Sequence, residues 1–85
     1  MAKQYIRKDE TVTAYYKDRG KNKLHRLDGP AIIRWDGDKI WYVNDKLHRL
    51  DGPAAEYGNG DRSWWINGEH IFTIDKSEKI KRRMK

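Results

Sequence analysis

The nonapeptide KLHRLDGPA stands at residues 23–31 and again, letter for letter, at 46–54. The match runs on at the same 23-residue offset. Asp36-Gly37 falls on Asn59-Gly60, Trp41 on Trp64, Tyr42 on Trp65, and Asn44 on Asn67. Self-similarity at a fixed period of about 20–50 residues marks folds whose units bury their faces only against their neighbours. A repeated nonapeptide without low-complexity bias is not chance, so the chain must make one corner twice.

Strand signals fill the rest of each unit. AIIRW and KIWYV flank Asp36-Gly37, and AAEY and RSWWI flank Asn59-Gly60. Such dipeptides between strand-like runs predict hairpins with type I′ turns, whose two central residues both need positive φ. Asn67-Gly68 offers a third turn, and TVTAYY reads as a first strand. Pro30 and Pro53 donate no hydrogen bond, which suits the start of a strand. The expected fold is all-β, a twisted antiparallel meander of hairpin units at 23–45 and 46–68 within one domain, residues 1–75. Alternation along the strands places Trp41, Val43, Trp64 and Ile66 on one face, expected to be the core. Ile40, Tyr42, Ser63 and Trp65 fall on the other. Residues 76–85, KSEKIKRRMK, read as a short basic helix or tail, with Asp75 as N-cap and Ile80 and Met84 four apart.

The corner itself carries His, Arg and Asp, and a catalytic or metal-binding use must be weighed. Histidine is a general base, aspartate can orient it, and arginine binds anions. One such set per unit is strung along a sheet, whereas a zinc site needs three or four ligands converging on one point. Turn chemistry accounts for the residues more simply. Asp bonds its own downstream backbone, Gly supplies freedom, and Pro restricts its predecessor and opens the strand. His25, His48, Asp28 and Asp51 are therefore expected to be structural, and Leu24, Leu27, Leu47 and Leu50 to seal the core edge. No catalytic residue, metal ligand or cofactor is expected, and the chain is not expected to be an enzyme.

The run NDKLHRLDGPAAEYGNGDRSWWINGEH resembles the tandem HRxDGPA repeats of phage and giant-virus proteins, which are similar in turn to MORN repeats. The resemblance covers about residues 22–70. It is fainter at YYKDRGKNKLHR, where two extra residues are inserted, and it breaks off at Ile71-Phe72, where His-Arg would stand. It implies a β-meander serving as a binding scaffold, without catalytic residues. Two units are few for such an array, so end segments are expected to act as caps, or the protein to self-associate.

Charge narrows the choice of partner. The chain's net charge is +6, and residues 76–85 supply +5 of it, leaving a nearly neutral body. A second basic cluster lies at 17–26, KDRGKNKLHR. Cysteine is absent, which excludes disulfide staples and thiol chemistry and suits a reducing cytoplasm, the host's if the chain is phage-encoded. The N-terminus lacks an apolar leader, and no apolar run reaches the ~18 residues of a membrane span. Four Trp and five Tyr in 85 residues supply interface anchors. These features favour a small binding module, a phage-type accessory or inhibitor protein docking on an acidic host protein surface or nucleoprotein complex. Direct nucleic-acid binding, with aromatics stacking on bases and cations on phosphates, is the alternative. The expected partner-binding residues are Tyr42, Trp65, Arg34 and Tyr57 on the aromatic face, Arg19, Lys21 and Lys23 in the basic loop, and Lys79, Lys81, Arg82 and Arg83 in the tail.

Overall fold

The computed structural model describes residues 4–75. It is all-β there, with no helix among the described residues. The basic helix expected over 76–85 lies outside them, together with Lys79, Lys81, Arg82 and Arg83. The strands are β1 (Tyr5–Lys8), β2 (Val12–Tyr16), β3 (Ile32–Arg34), β4 (Lys39–Ile40), β5 (Tyr42–Val43), β6 (Lys46–Leu47), β7 (Ala55–Glu56), β8 (Arg62–Ile66) and β9 (Glu69–Ile74). Seven of them form an antiparallel sheet in the order β1-β2-β3-β4-β7-β8-β9, and β5 and β6 form a second, two-stranded ribbon. The sheet is a meander in chain order, with β5-β6 as an excursion from it.

β1 is a strand the sequence reading left out. Its turn into β2 is built by Asp9, whose Oδ1 accepts from the amides of Thr11 and Val12 and from the Thr11 hydroxyl. Those bonds, from Thr11 first, hold the Asp9 carboxyl below its ordinary pKa.

Each long run changes partner half-way along. The Trp41 amide donates to Ala54 O at 2.7 Å, in the main sheet, while the Trp41 carbonyl accepts from His48 N at 3.2 Å, in the ribbon. Tyr15 does the same, donating to Ala31 O at 2.8 Å and accepting from His25 N at 3.0 Å. Matching Tyr15 to Trp41 in this way shows three residues inserted before His25, not two. Asp18 closes that loop with its carboxylate on the amides of Asn22 and Lys23.

The turns divide into two kinds. Asn67-Gly68 is type I′ as expected, with φ of 49° and 80°, and Asn44-Asp45 has the same form at 51° and 64°. At Asp36-Gly37 and Asn59-Gly60 only the glycines have positive φ, 101° and 99°. Gly37 N donates to Arg34 O and Gly60 N to Tyr57 O, giving three-residue loops, each a tight turn followed by a left-handed glycine. The extra loop residue displaces the type I′ geometry.

The core differs from the sequence expectation. Its fully buried residues are Ala14, Ala31, Ile40, Ala54, Ala55 and Ser63, with Pro53 beside them. Trp41, Val43, Trp64 and Ile66 are only half-buried. The cause is thickness. The molecule measures 52 × 28 × 18 Å with a radius of gyration of 14.4 Å, against about 12 Å for a compact chain of this length. Among the described residues the sheet has no second layer to bury a face, so only small side chains vanish beneath the larger ones around them. Leu27 and Leu50, expected at the core edge, are 76% and 79% exposed because the corner points them outward.

One glycine makes the two three-residue loops fit together. Gly58 N donates to Asp38 Oδ1 at 2.8 Å, and a Cβ at position 58 would stand 2.2 Å from the Asp36 carbonyl oxygen. A backbone atom cannot swing away as a side chain does. Gly58→Ala is therefore expected to cost roughly 2–3 kcal/mol in urea unfolding, the upper part of the range for overpacking. Gly20→Ala, whose Cβ meets only the Asn22 and Asp18 side chains, should cost less.

Candidate functional site

The sheet presents two unlike faces. On the first, directly paired residues run Arg7, Ala14, Ile32, Ile40, Ala55, Ser63, Thr73 across all seven strands. Residues two positions along each strand share that face, namely Tyr16, Arg34, Tyr42, Tyr57 and Trp65. We call it the Tyr42 face. On the second lie Tyr15, Ala31, Trp41, Ala54 and Trp64, the Trp41 face.

The repeated corners are clamped to the Trp41 face. The Arg26 guanidinium sits 4.0 Å above the Tyr15 ring, and that of Arg49 sits 3.9 Å above Trp41. Each also bonds the corner's aspartate through Nε, Asp28 or Asp51, at 3.0 Å, and the carbonyl of Pro30 or Pro53 through Nη1. Arg49 adds Glu56 at 3.0 Å. His25 Nδ1 accepts from the Asn44 amide at 2.9 Å, and His48 Nδ1 accepts from the Asn67 amide at 3.0 Å. Every one of these hydrogen bonds recurs at a 23-residue offset, except that to Glu56, while the rings beneath the arginines stand 26 apart because of the three inserted residues. The polar groups of the corner are occupied in holding the following hairpin and the preceding ring. Among the described residues no group of three or more His, Cys, Asp or Glu converges as a metal site would require. The open cleft between the corners, about 610 Å3, is floored by Trp41 and Val43.

The Tyr42 face has a different character. Three aromatics stand on it at equivalent places in successive hairpins, because Tyr16 pairs with Leu24, Tyr42 with Leu47, and Trp65 with His70. Trp65 folds back along its own strand, its indole Nε1 donating to Ser63 Oγ at 3.0 Å, and it meets His70 edge-on. Burial raises the Tyr42 phenol above its ordinary pKa, helped by Asp45 and Tyr57 and opposed by Arg34. Arg7, held above its usual pKa by Tyr16 first and then by Asp9, lines a groove of about 320 Å3 with Tyr16, Ile32 and Arg34.

Of the expected partner-binding residues, then, Tyr42, Trp65, Arg34 and Tyr57 share one face. Arg19, Lys21 and Lys23 are exposed on the loop fixed by Asp18. Trp35 was missed by sequence reasoning. It is 78% exposed at the β3–β4 loop, beside that groove, at the place where the next unit has Gly58. A bulky aromatic where the loop geometry is satisfied by glycine was the available signal. Comparison with protein-family models, with curated proteins and with solved structures finds no match to this chain.

The His25 latch makes stability depend on pH. Burial first, and then Lys17, lower its pKa. The unfolded chain thus takes up a proton at about 6.5, before the folded one does. The latch contributes fully above that pH and is lost as pH falls through 6.5 toward the folded value. Wild-type Tm should fall between pH 7.5 and 5, and His25→Gln should flatten part of that slope.

Proposed function

We propose that this protein is a non-enzymatic binding module, a MORN-like array of roughly 23-residue hairpin units whose Tyr42 face docks on a partner. The observation that carries the reading is that strand register and alternation put Arg34, Tyr42, Tyr57 and Trp65 on one face. Tyr, Trp and Arg are the side chains that dominate binding energy at interfaces. Their presentation on a sheet face, away from the corners that hold the fold, leaves them free for that use. The expected role is that of an accessory or inhibitor protein acting on a host protein or nucleoprotein complex; the resemblance to phage repeat proteins implies the binding scaffold itself.

A second reading has its own support. Arg19, Lys21 and Lys23 project from a loop that is tied by the Lys17 amide on Lys23 O at 3.0 Å and the Asp18 carboxylate. Fixed, exposed cations suit phosphate contacts. Capture from a bacterial lysate with and without nuclease separates the two, since a protein partner survives nuclease and a nucleic-acid bridge does not.

The tail and the face should act on different rate constants. Exposed charges steer encounter and are screened by salt, whereas desolvated anchors set residence time. Neutralising Lys81, Arg82 and Arg83 is expected to slow association and flatten its salt dependence. Trp65→Ala is expected to speed dissociation by roughly tenfold or more, the scale of a binding hot spot. Kinetics against the captured partner check both. Unchanged dissociation for Tyr42→Ala and Trp65→Ala alike would remove the face from the function.

A further inference from the structure

A repeat makes its own exceptions visible. Corner, turn and clamp are met in both units, so a residue that departs from the repeat serves something other than the shared fold. Three departures fall in the first unit. Trp35 stands where the second unit has Gly58, and Arg34 where it has Tyr57. Seven residues lie between Tyr16 and Leu24, against four between Tyr42 and Leu47, and the longer loop carries Arg19, Lys21 and Lys23. All three departures meet at one place. The groove of about 320 Å3 is lined by Arg34 and Trp35 toward one end and by Tyr16 and Leu24, the two feet of the basic loop, toward the other. Resting on the nucleic-acid reading given above, we propose that this groove takes a single-stranded polynucleotide, with bases stacked on Trp35 and Tyr16 and phosphates on Arg7, Arg34 and the loop cations.

Charge selects an anionic ligand. The groove is lined by two arginines and, among the described residues, by no carboxylate, whereas the cleft between the corners sets Asp28 and Asp51 against Arg26 and Arg49. Arg7 and Arg34 each give one nitrogen to an aspartate, Asp9 at 3.2 Å and Asp38 at 3.3 Å, and the planar fork carries further N–H donors. At the loop, the Asp18 carboxylate is turned onto the amides of Asn22 and Lys23, and Arg19, Lys21 and Lys23 are exposed around it. The rings select bases. Trp35 is 78% exposed, yet its amide donates to Thr11 O at 3.0 Å and its loop is closed by Gly37 N on Arg34 O. A fixed backbone under an uncovered ring lowers the ordering cost of binding. Trp35 lies opposite Thr11, and Tyr16 stands five residues further along the chain, about 17 Å in extended backbone. That span admits at most about five nucleotides at the stacked rise of ~3.4 Å. Aromatic platforms joined by cations hold single strands without regard to sequence, because every base has a π-face. An acidic peptide would satisfy the arginines and leave both rings without flat partners.

The test is a titration of the full-length protein, labelled with 15N, with dT10 and with rU10, and with a decaglutamate peptide as comparison. The four tryptophan indole signals are separate reporters. Saturable movement of the Trp35 indole and of the amides of residues 17–23 by the single strands, and not by decaglutamate, is the expected result; the tighter of the two tells DNA from RNA. Trp35→Ala, checked for folding by amide dispersion, should weaken binding roughly tenfold or more, and Trp35→Phe should restore most of it. Arg19→Gln, Lys21→Gln and Lys23→Gln together should lower the slope of log affinity against log salt by about 2. Trp65→Ala should leave dT10 binding as it is. Binding unchanged by both Trp35→Ala and Arg34→Gln, as for a strand held by residues 76–85 alone, overturns the groove and leaves the nucleic-acid reading standing. An equal response to decaglutamate overturns it in favour of an acidic peptide. No saturable response to either single strand removes the groove and the nucleic-acid reading together.

Discussion

A guanidinium resting on an aromatic ring is the contact on which the rest of the fold depends. Arg26 on Tyr15 and Arg49 on Trp41 each reach from a corner back to the strand before it, then fix the corner's own aspartate and proline carbonyl. The contact is worth about 0.5–2 kcal/mol depending on desolvation, and the hydrogen bonds to it add to that. In a thick protein this would be ornament beside a hydrophobic core. Here no large side chain is fully buried among the described residues, so the corner clamps supply what a second layer supplies elsewhere.

That dependence explains how the two faces come to differ. The Trp41 face is used up by the clamps, which cover its rings with arginine and turn its polar atoms inward. The Tyr42 face carries no corner. Its aromatics lie over alanine, isoleucine and serine, with Trp65 bonded to the buried Ser63 and Tyr16 lining a groove with Arg7 and Arg34. Among the described residues the arginine clamps thus stand on one side of the sheet, and most of its small buried residues, Ala14, Ile40, Ala55 and Ser63, on the other.

How much of this was legible in the sequence follows from which rules act locally. Hairpins and the chain-order meander came from turn chemistry and alternation, which need only neighbouring residues; the strands themselves begin at Ile32 and Ala55, two residues after Pro30 and Pro53. The shared face of Tyr42 and Trp65 came from alternation too, and strand register adds Arg34 and Tyr57 to it. The core did not, because alternation says which residues share a face and not which face has something packed on it. Trp41 and Trp64 looked like core by size. In a one-layer sheet size works the other way, and Ala31 and Ala54 are the residues hidden. The type I′ assignment at Asp36-Gly37 failed because the dipeptide is shared by two-residue and three-residue loops, and only the pairing of Arg34 with Asp38 distinguishes them. Trp35 needed the loop's closed geometry before its side chain could be seen as surplus.

The last strand shows how a chain of this kind stops. Arg26 and Arg49 are followed, 23 residues on, by Phe72, which stacks on Trp64 at 4.3 Å as a ring on a ring. Ile71 stands where His25 and His48 stand, without a nitrogen to catch another hairpin. β9 continues past a register shift opposite Trp64 and Trp65 without turning a corner, so Ser63 pairs with Thr73, five residues earlier in the unit than Ala55 pairs with Ile40. The corner is skipped here: a ring nitrogen and a guanidinium give way to an aliphatic and an aromatic side chain, which can pack on the strand beside them but cannot tie down a loop.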